Sequence, residues 1–304
     1  MDGLIADAVA SRSEDDAEAL QQRDYSRVRD PSLLRFLVDA RGEDATARQL
    51  RDDLMTMLIA GHETTAAVLT WTLFCLAQHP EEAQLLRAEV DAVLSDGRSP
   101  RIDDMRSLPR CRAALAESLR LYPQPPLLIR RALAPDVLPP GLNGAAGGYP
   151  IGKGADLFIS VWNLHHSPYL WPDPEAFRPA RFSEPFSNPD FKPGEWAGLR
   201  PDASPGAMYP NEITTDFAFL PFGGGARKCV GDQFAFVEAV VALAMLLRRF
   251  DFELAVPVEE VGMATGATIH TRDGLKMRVR RREGGGRGAG ASAASAAAEA
   301  PVAR

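Results

Sequence analysis

A single cysteine in a glycine-rich loop is the residue of this chain best suited to metal chemistry. Cys229 stands in the run Phe-Leu-Pro-Phe-Gly-Gly-Gly-Ala-Arg-Lys-Cys-Val-Gly at 219–231, just before an amphipathic stretch that predicts a helix over 231–250. The glycines at 223–225 allow backbone conformations closed to other residues and let a flat ligand approach the main chain. Free N–H groups at a helix N-terminus favour a thiolate. The loop therefore predicts a metal-binding thiolate, although a lone cysteine can also be an ordinary turn or buried residue.

The full motif around this cysteine is a much more specific signal than a lone cysteine. The spacing Phe-x-x-Gly-x-Arg-x-Cys-x-Gly is formed by Phe222, Gly225, Arg227, Cys229 and Gly231. It resembles the haem-binding signature of the cytochrome P-450 superfamily, the monooxygenases whose haem iron is held by a cysteine thiolate. The resemblance implies haem b (iron protoporphyrin IX) as cofactor, Cys229 as the axial metal ligand, and the other four positions as cofactor-binding residues.

A second candidate group lies in the middle of an apolar run. Apolar residues recur at three- and four-residue steps over 47–78, which predicts a long helix that Pro80 ends. A buried carboxylate is costly in such a helix, so its polar centre is either a solvated break between two short helices or functional. The centre, Ala-Gly-His-Glu-Thr-Thr at 60–65, resembles the oxygen-activation motif of the superfamily. This resemblance implies that the Thr64 hydroxyl competes for a backbone carbonyl and opens the helix, while Glu63 relays protons for O2 chemistry.

Glu117 and Arg120 are a third candidate pair. They lie three positions apart in a helix predicted over 111–121, so they share one helix face. Alone, E-x-x-R usually means a surface salt bridge of small energy. Here Phe-Arg-Pro-Ala-Arg-Phe follows at 177–182, and the order resembles the superfamily's Glu-Arg-Arg triad, with Arg181 bracing the haem-binding loop. The superfamily usually has Pro-Glu-Arg-Phe at this last site, so the arginine is retained and the acid is not.

A proline-marked apolar stretch at 123–129 predicts an extended segment that ends in two arginines. In the superfamily this strand passes beside the haem and feeds the substrate pocket. The resemblance implies that Arg130 and Arg227 pair with haem propionates, since a guanidinium matches a carboxylate bidentately. For Arg131 we favour a solvated charge.

The paired histidines His165 and His166 could suggest a metal site, but no third ligand is spaced to suit. We therefore do not predict a metal ion there.

The remaining segments frame these motifs. Periodicity predicts that the helix over 231–250 buries Phe234, Val237, Val240, Val241, Ala244, Met245 and Leu247. A short helix from 30–32 and a second helix after Pro80 are also expected. Other predictions, in chain order, are a loop at 138–148, a hairpin at 149–159, an irregular meander with a surface insertion at 183–211, a turn at 265–271 resembling the one whose tip enters the substrate pocket, and a last strand at 277–281.

Composition excludes several classes of function. The 304 residues are 45% hydrophobic and 25% charged, with a formal net charge of -7, which suits a globular domain with a large core. An acidic balance gives no reason to expect a nucleic-acid partner. Three widely spaced cysteines without a CxxC pair indicate neither a disulfide framework nor a zinc ribbon. No apolar stretch reaches the roughly 18 residues of a spanning helix, and the acidic N-terminal residues are unlike a signal or transit peptide.

Four stretches, at 58–71, 122–126, 159–165 and 265–271, together resemble the plastid carotenoid-ring hydroxylase branch of the superfamily. That resemblance implies a carotenoid substrate hydroxylated on an ionone ring, O2, and reducing equivalents from NADPH through a ferredoxin-type or diflavin donor. It also implies a chloroplast location and allows peripheral membrane association.

The resemblance covers roughly residues 30–282, after a partial helical or linker segment at 1–29 and before a Gly/Ala/Ser tail at 283–304 that we expect to be disordered. The expected fold is mainly α with small β-sheets, the C-terminal portion of the cytochrome P-450 fold with its N-terminal part absent. The apolar face of the helix over 54–76 would then lack cover. The alternative function is a truncated, inactive remnant, with or without haem, acting as an interaction module. The intact chemical residues favour a monooxygenase.

Overall fold

The computed structural model describes residues 2–11, 18, 32–41, 46–140, 147–188, 196–204 and 206–282. Most of the expected linker segment at 1–29 lies outside these residues, and so does all of the expected disordered tail at 283–304. The chain forms two compact units, residues 1–64 and 65–304. The α-helices whose bounds are described are α1 Asp2–Ala10, α2 Leu33–Arg41, α3 Ala47–Gln78, α4 Pro80–Val93, α5 Pro109–Leu121, α6 Val161–His165 and α7 Asp232–Arg249.

The first unit has a small apolar core of its own. The Ser32 hydroxyl accepts from the Arg35 N–H at 3.3 Å and caps the start of α2, as the sequence predicts for a short helix here. The Arg35 guanidinium donates to the carbonyls of Ala8 and Ser11 at 3.2 and 2.7 Å, and so satisfies the open carbonyls at the end of α1. The buried side chains between the helices are Ile5, Leu37, Val38 and Leu50.

Helix α3 is continuous over its 32 residues, with the bounds that the apolar period predicts. A solvated break at 60–65 is therefore wrong. Its N-terminal half exposes several large apolar side chains, namely Met55, Leu58 and Ile59. Its C-terminal half contributes Trp71, Phe74 and Cys75 to the core of the second unit.

Three helices, α4, α5 and α7, contribute a large share of the second unit's core. Helix α7 packs against α4 and α5, and α4 follows Pro80 as predicted. Helix α5 begins at Pro109, two residues before the predicted start, because proline is favoured in the first helical turn. Almost every residue of α5 from Cys111 to Leu121 is buried, including charged ones.

Helix α7 is buried on a face rotated from the predicted one. Its fully buried side chains are Phe236, Ala239, Val240, Leu243, Ala244 and Leu247. The predictions for Val240, Ala244 and Leu247 are confirmed, whereas Val237, Val241 and Met245 are half-buried. The prediction for Phe234 is wrong, since that side chain is 74% exposed. Apolar residues lie on more than one face of this helix, so its period alone did not fix which face turns inward.

All five described sheets are antiparallel strand pairs. Strand β1 (Leu127–Arg131) pairs with β4 (Asp156–Ser160), and β2 (Asp136–Leu138) pairs with β3 (Tyr149–Ile151), so the second pair is nested inside the first in chain order. The prediction of a separate hairpin at 149–159 is wrong, because its two strands each pair with an earlier one. The strands are β1 Leu127–Arg131, β2 Asp136–Leu138, β3 Tyr149–Ile151, β4 Asp156–Ser160, β5 Phe186–Ser187, β6 Gly198–Leu199, β7 Phe250–Leu254, β8 Met263–Thr265, β9 Ile269–Thr271 and β10 Met277–Arg281.

In its described residues, 183–188, 196–204 and 206–211, the predicted meander is irregular apart from the β5–β6 pair and a 3-10 turn at Pro201–Ala203. It is more than a surface insertion, because Trp196, Leu199 and Tyr209 are buried in the main core. The Trp196 indole N–H donates to the Thr215 carbonyl at 3.0 Å and ties the segment down.

The predicted turn at 265–271 and the last strand at 277–281 are confirmed by the β8–β9 and β7–β10 pairs. In the part of the chain that the structure describes, no helix is both long and apolar enough to cross a bilayer.

Candidate functional site

The cysteine loop is closed by its own backbone. The Cys229 N–H donates to the Phe222 carbonyl at 2.9 Å. Between them Gly223 and Gly225 take φ angles of 70° and 68°, in the left-handed region that favours glycine. Gly231 is the N-cap of α7, and the Cys229 side chain is exposed. The sequence prediction of a cysteine held just before a helix is confirmed.

One side of the loop is packed and the other is open. A methyl group at Gly223 would lie 3.7 Å from Leu128 Cδ1, so β1 runs alongside the loop. A methyl group at Gly224 would lie 3.3 Å from Glu212 Cγ, tighter than an ordinary contact. A methyl group at Gly225 would have no described atom within 4 Å. An exposed thiol beside an open stretch of glycine backbone fits a flat, thiolate-ligated group such as haem.

The other two cysteines are poor ligand candidates. Cys75 and Cys111 are buried, and burial raises the pKa of both thiols, with a further contribution from Glu117 at Cys75 and from Glu89 at Cys111. A thiol must lose its proton to bind a metal. Cys229 is therefore the cysteine whose surroundings allow a thiolate ligand. The described residues contain no cluster of three or more His, Cys, Asp or Glu side chains that could hold a metal ion.

The residue before the cysteine fixes the loop to α7. The Lys228 ammonium lies 2.9 Å from a Glu212 carboxylate oxygen and 3.1 Å from one of Asp232. The Tyr209 hydroxyl donates to Asp232 at 2.5 Å, and burial together with this hydrogen bond raises the pKa of Tyr209. These contacts hold both ends of the segment that carries Cys229. The sequence had shown no signal for Tyr209 or Glu212, which lie outside the motif.

Glu117 and Arg120 form a fully buried, two-pronged ion pair. Arg120 donates from Nε and Nη2 to the two Glu117 oxygens at 2.8 and 2.9 Å. Glu117 also accepts from Arg181 Nε at 3.0 Å and from the Arg178 main-chain N–H at 2.9 Å. The structure thus joins the three residues predicted as a triad, and the surface salt bridge alternative is wrong because both partners of the first pair are 0% exposed.

The remaining donors of Arg120 hold the chain around it. Its Nη1 donates to the carbonyls of His165 and Pro174 at 2.8 and 2.7 Å, and its Nη2 donates to that of Ala176 at 3.2 Å. The guanidinium also lies 5.5 Å from the centre of the Trp171 ring. All five N–H groups of this arginine are therefore hydrogen-bonded, which makes its burial tolerable.

His165 connects this cluster to the cysteine loop. Its Nε2 accepts from the Leu220 N–H at 2.8 Å, so the neutral ring carries its proton on Nδ1. Burial, and then the charge of Arg120, lowers the pKa of His165 to about 3. The sequence singled out this histidine as half of an unsupported metal pair and as the last residue of the stretch at 159–165 that carries the branch resemblance, but not as a contact of the cysteine loop. Its contact with Leu220 depends on tertiary folding and left no sequence signal.

The arginines expected near the cofactor differ in their partners. Arg227 is exposed, and within the described ranges no hydrogen bond or ion pair reaches its guanidinium. Arg130 donates only to the adjacent Ile129 carbonyl, at 2.9 Å, among described residues. Both could meet an anionic ligand. Arg131 is ion-paired with Asp156 through bonds of 2.7 and 2.8 Å, and its side chain is 67% exposed, so the predicted solvated charge is confirmed.

Glu63 and Thr64 belong to the first unit. The Thr64 hydroxyl donates to the Ala60 carbonyl at 2.7 Å, as predicted, but the backbone stays α-helical, so the expected opening is not present. A carbonyl can accept from a hydroxyl and from the helix N–H together. The bond is not special to Thr64, since three other threonines of α3 bond to the carbonyl four residues back: Thr56, Thr70 and Thr72.

A glutamine clamps the β8–β9 turn, a feature that sequence reasoning missed. Gln124 accepts from the Ile269 N–H at 2.8 Å and donates to the Ile269 carbonyl at 2.9 Å. The Trp71 indole donates to the same carbonyl at 2.9 Å, and its ring stacks on Tyr122 with centres 4.0 Å apart. The turn is therefore fixed by two side chains that lie far from it in sequence.

A mainly helical fold that presents an exposed cysteine on a glycine loop, braced by a buried Glu-Arg-Arg cluster, is that of the haem-thiolate class. The cytochrome P450 family model matches residues 4–270. The chain belongs to the cytochrome P450 family, as the sequence resemblance and the expected fold had indicated, and family membership implies a haem-thiolate cofactor.

The chain is similar to three chloroplastic relatives. Cytochrome P450 97B2, chloroplastic, of Glycine max is 59% identical over 92% of this chain and 48% of the relative. Protein LUTEIN DEFICIENT 5, chloroplastic, of Arabidopsis thaliana is 49% identical over 92% of this chain and 42% of the relative. Carotene epsilon-monooxygenase, chloroplastic, of Arabidopsis thaliana is 46% identical over 88% of this chain and 44% of the relative. The chain spans about half the length of the curated relatives it matches.

Proposed function

We propose that this protein takes part in a haem-thiolate monooxygenase that inserts one oxygen atom of O2 into a C–H bond of a carotenoid ionone ring. The observation that carries the proposal is the Cys229 loop, with its exposed thiol, its two left-handed glycines and its open side at Gly225. The similarity to a relative named carotene epsilon-monooxygenase, chloroplastic, supports a carotenoid as the substrate and the chloroplast as the location.

Each predicted site residue has a place in this proposal. Cys229 would hold the iron, and Phe222, Gly225 and Gly231 would shape the loop against the cofactor. A bound haem supplies the chemistry of O2 activation, and a thiolate ligand favours O–O cleavage. Arg130 and Arg227 would bind the propionates, because their guanidinium groups have few or no described partners and match carboxylates.

The protein's own residues would control protons and position. The single Thr64 hydroxyl proton, which bonds to the Ala60 carbonyl in this structure, would turn from that carbonyl to the oxygen side, and the exposed Glu63 would pass protons to the hydroxyl from solvent. Glu117, Arg120 and Arg181 would keep the loop in place without contacting substrate. Electrons would come from NADPH through a ferredoxin-type or diflavin donor. The inactive-remnant alternative has no supporting observation in the described part of the chain.

The test is product analysis with labelled oxygen. Haem-loaded protein would be incubated with a carotene or a monohydroxy carotenoid, NADPH and, in separate reactions, a ferredoxin-based or a diflavin donor. The proposal expects a hydroxylated ring that carries one atom from labelled O2, and none with the Cys229→Ser variant. Thiolate-ligated haem that yields no labelled product with either donor would contradict the proposed activity.

A further inference from the structure

His165 is a buried side chain between two parts of the site that are distant in sequence. It is the last residue of α6, and its main-chain carbonyl accepts from Arg120 Nη1 at 2.8 Å. Its ring Nε2 accepts from the Leu220 N–H, also at 2.8 Å. The side chain is 0% exposed. One residue thus joins the buried Glu117–Arg120 pair to the first residues of the cysteine loop.

The position of Leu220 in the chain makes this contact important for the loop. Residue 221 is a proline and has no N–H, so Leu220 is the last main-chain donor before Phe222. The Phe222 carbonyl is the acceptor for the Cys229 N–H that closes the loop. His165 therefore holds the backbone two residues before the hydrogen bond that sets Cys229.

The ring is fixed in both orientation and charge state. It lies against Phe219 with ring centres 5.2 Å apart. Its Nδ1 lies near the main chain of Leu119 and Arg120 but makes no hydrogen bond of normal geometry with a described residue. A buried N–H in that state costs folding free energy, so folding alone does not favour histidine here. Burial and the Arg120 charge lower the pKa of the ring, so Nε2 stays an acceptor at neutral pH.

We propose that His165 is a positioning residue that sets the geometry of the Cys229 loop: its ring accepts the Leu220 N–H, and its main-chain carbonyl is held by Arg120. The role in ligand geometry rests on the proposed haem-thiolate function, whereas the hold on the loop does not. Nothing in the E-x-x-R pattern or the cysteine motif assigns this role to His165, which lies in neither.

Three variants separate positioning from general stability. His165→Leu removes the acceptor, and His165→Gln keeps an amide oxygen of similar reach. His166→Leu is the matched control, because this neighbour is also largely buried but bonds to the Trp162 carbonyl at 2.9 Å and not to the loop. Amide hydrogen exchange of 219–229 would be measured in the full chain without haem, and the ferrous carbon monoxide spectrum after haem loading.

We expect exchange at Leu220 and Cys229 to become about tenfold faster in His165→Leu and to change less than about threefold in the other two variants. The fraction of haem showing the red-shifted thiolate band should fall in His165→Leu alone. Unchanged loop exchange in folded His165→Leu would overturn the proposal. If that variant does not fold, retained loop protection in His165→Gln supports the proposal and lost protection overturns it. If exchange behaves as expected but no protein, including the wild type, binds haem, the loop contact stands and the proposed function fails.

Discussion

Glu117 Oε1 accepts a hydrogen bond of 3.0 Å from Arg181 Nε, although the two residues are 64 positions apart. The same oxygen accepts from Arg120 Nη2 at 2.9 Å, so one buried carboxylate balances two buried guanidinium groups. The pattern Pro-Ala-Arg-Phe, which lacks the acid usual in the family, still delivers its arginine to this carboxylate. The contact ties α5 to the 3-10 turn at Pro179–Phe182.

Removing that carboxylate should destabilise the protein strongly. Glu117→Gln would leave two guanidinium groups buried without a counter-charge, and breaking a buried pair costs about 3 to 5 kcal/mol. Urea denaturation followed by circular dichroism would measure the loss. Asp156→Asn, which breaks the exposed pair with Arg131, is the control and should have a much smaller effect. Equal losses in the two variants would mean that burial does not decide the strength of these pairs.

Two phenylalanines of α7 test which face of that helix is buried. Phe236 is 1% exposed and Phe234 is 74% exposed. Phe236→Ala should lower the free energy of unfolding by about 3 to 5 kcal/mol because it leaves a cavity, whereas Phe234→Ala should change it by less than about 0.5 kcal/mol. The reverse order would restore the helix face that periodicity predicted.

The buried neutral His165 should make stability depend on pH. Its pKa is about 3 in the folded protein against 6.5 for a free histidine. Below pH 6.5 the unfolded chain takes up a proton that the folded protein does not, so stability falls as the pH decreases toward 3. Between pH 7 and 5.5, His165→Gln should lose about 1 kcal/mol less stability than the wild type. Parallel curves for the two proteins would show that His165 is not held neutral.

Thr64 and Thr70 make the same hydrogen bond within α3, to Ala60 and Ala66 at 2.7 and 2.8 Å. Only Thr64 lies in the proposed oxygen-activation motif. Thr64→Ala should keep haem and its thiolate band but divert severalfold more of the NADPH electrons to hydrogen peroxide. Thr70→Ala controls for the lost helix contact and should leave the yield of product per electron unchanged. Identical coupling in Thr64→Ala and the wild type would count against the proton relay.

Local patterns predicted much of the structure. The 32-residue α3, the start of α2 and the cysteine turn before α7 follow from apolar spacing, capping and glycine content. The Glu117–Arg120 pair follows from helical geometry, and its link to Arg181 from resemblance. These features depend on residues close in sequence or on a motif order specific to one family.

Features that depend on tertiary packing could not be predicted in this way. Helix α7 carries apolar residues on several faces, so its orientation is set by α4 and α5. Strand pairing at 127–160 follows from which edges meet, not from the turn signals at 152–154. The contacts from Gln124 to Ile269 and from His165 to Leu220 span 145 and 55 positions, and neither pair has a sequence pattern.

The carbon monoxide difference spectrum of the reduced, haem-loaded protein tests the central claim most directly. The wild type and Cys75→Ala, which removes a buried thiol, should both show the red-shifted Soret band of thiolate-ligated haem. Cys229→Ser should lose that band. A thiolate band that survives in Cys229→Ser, or a wild type that shows only the band of a neutral thiol or histidine ligand, would contradict Cys229 as the iron ligand.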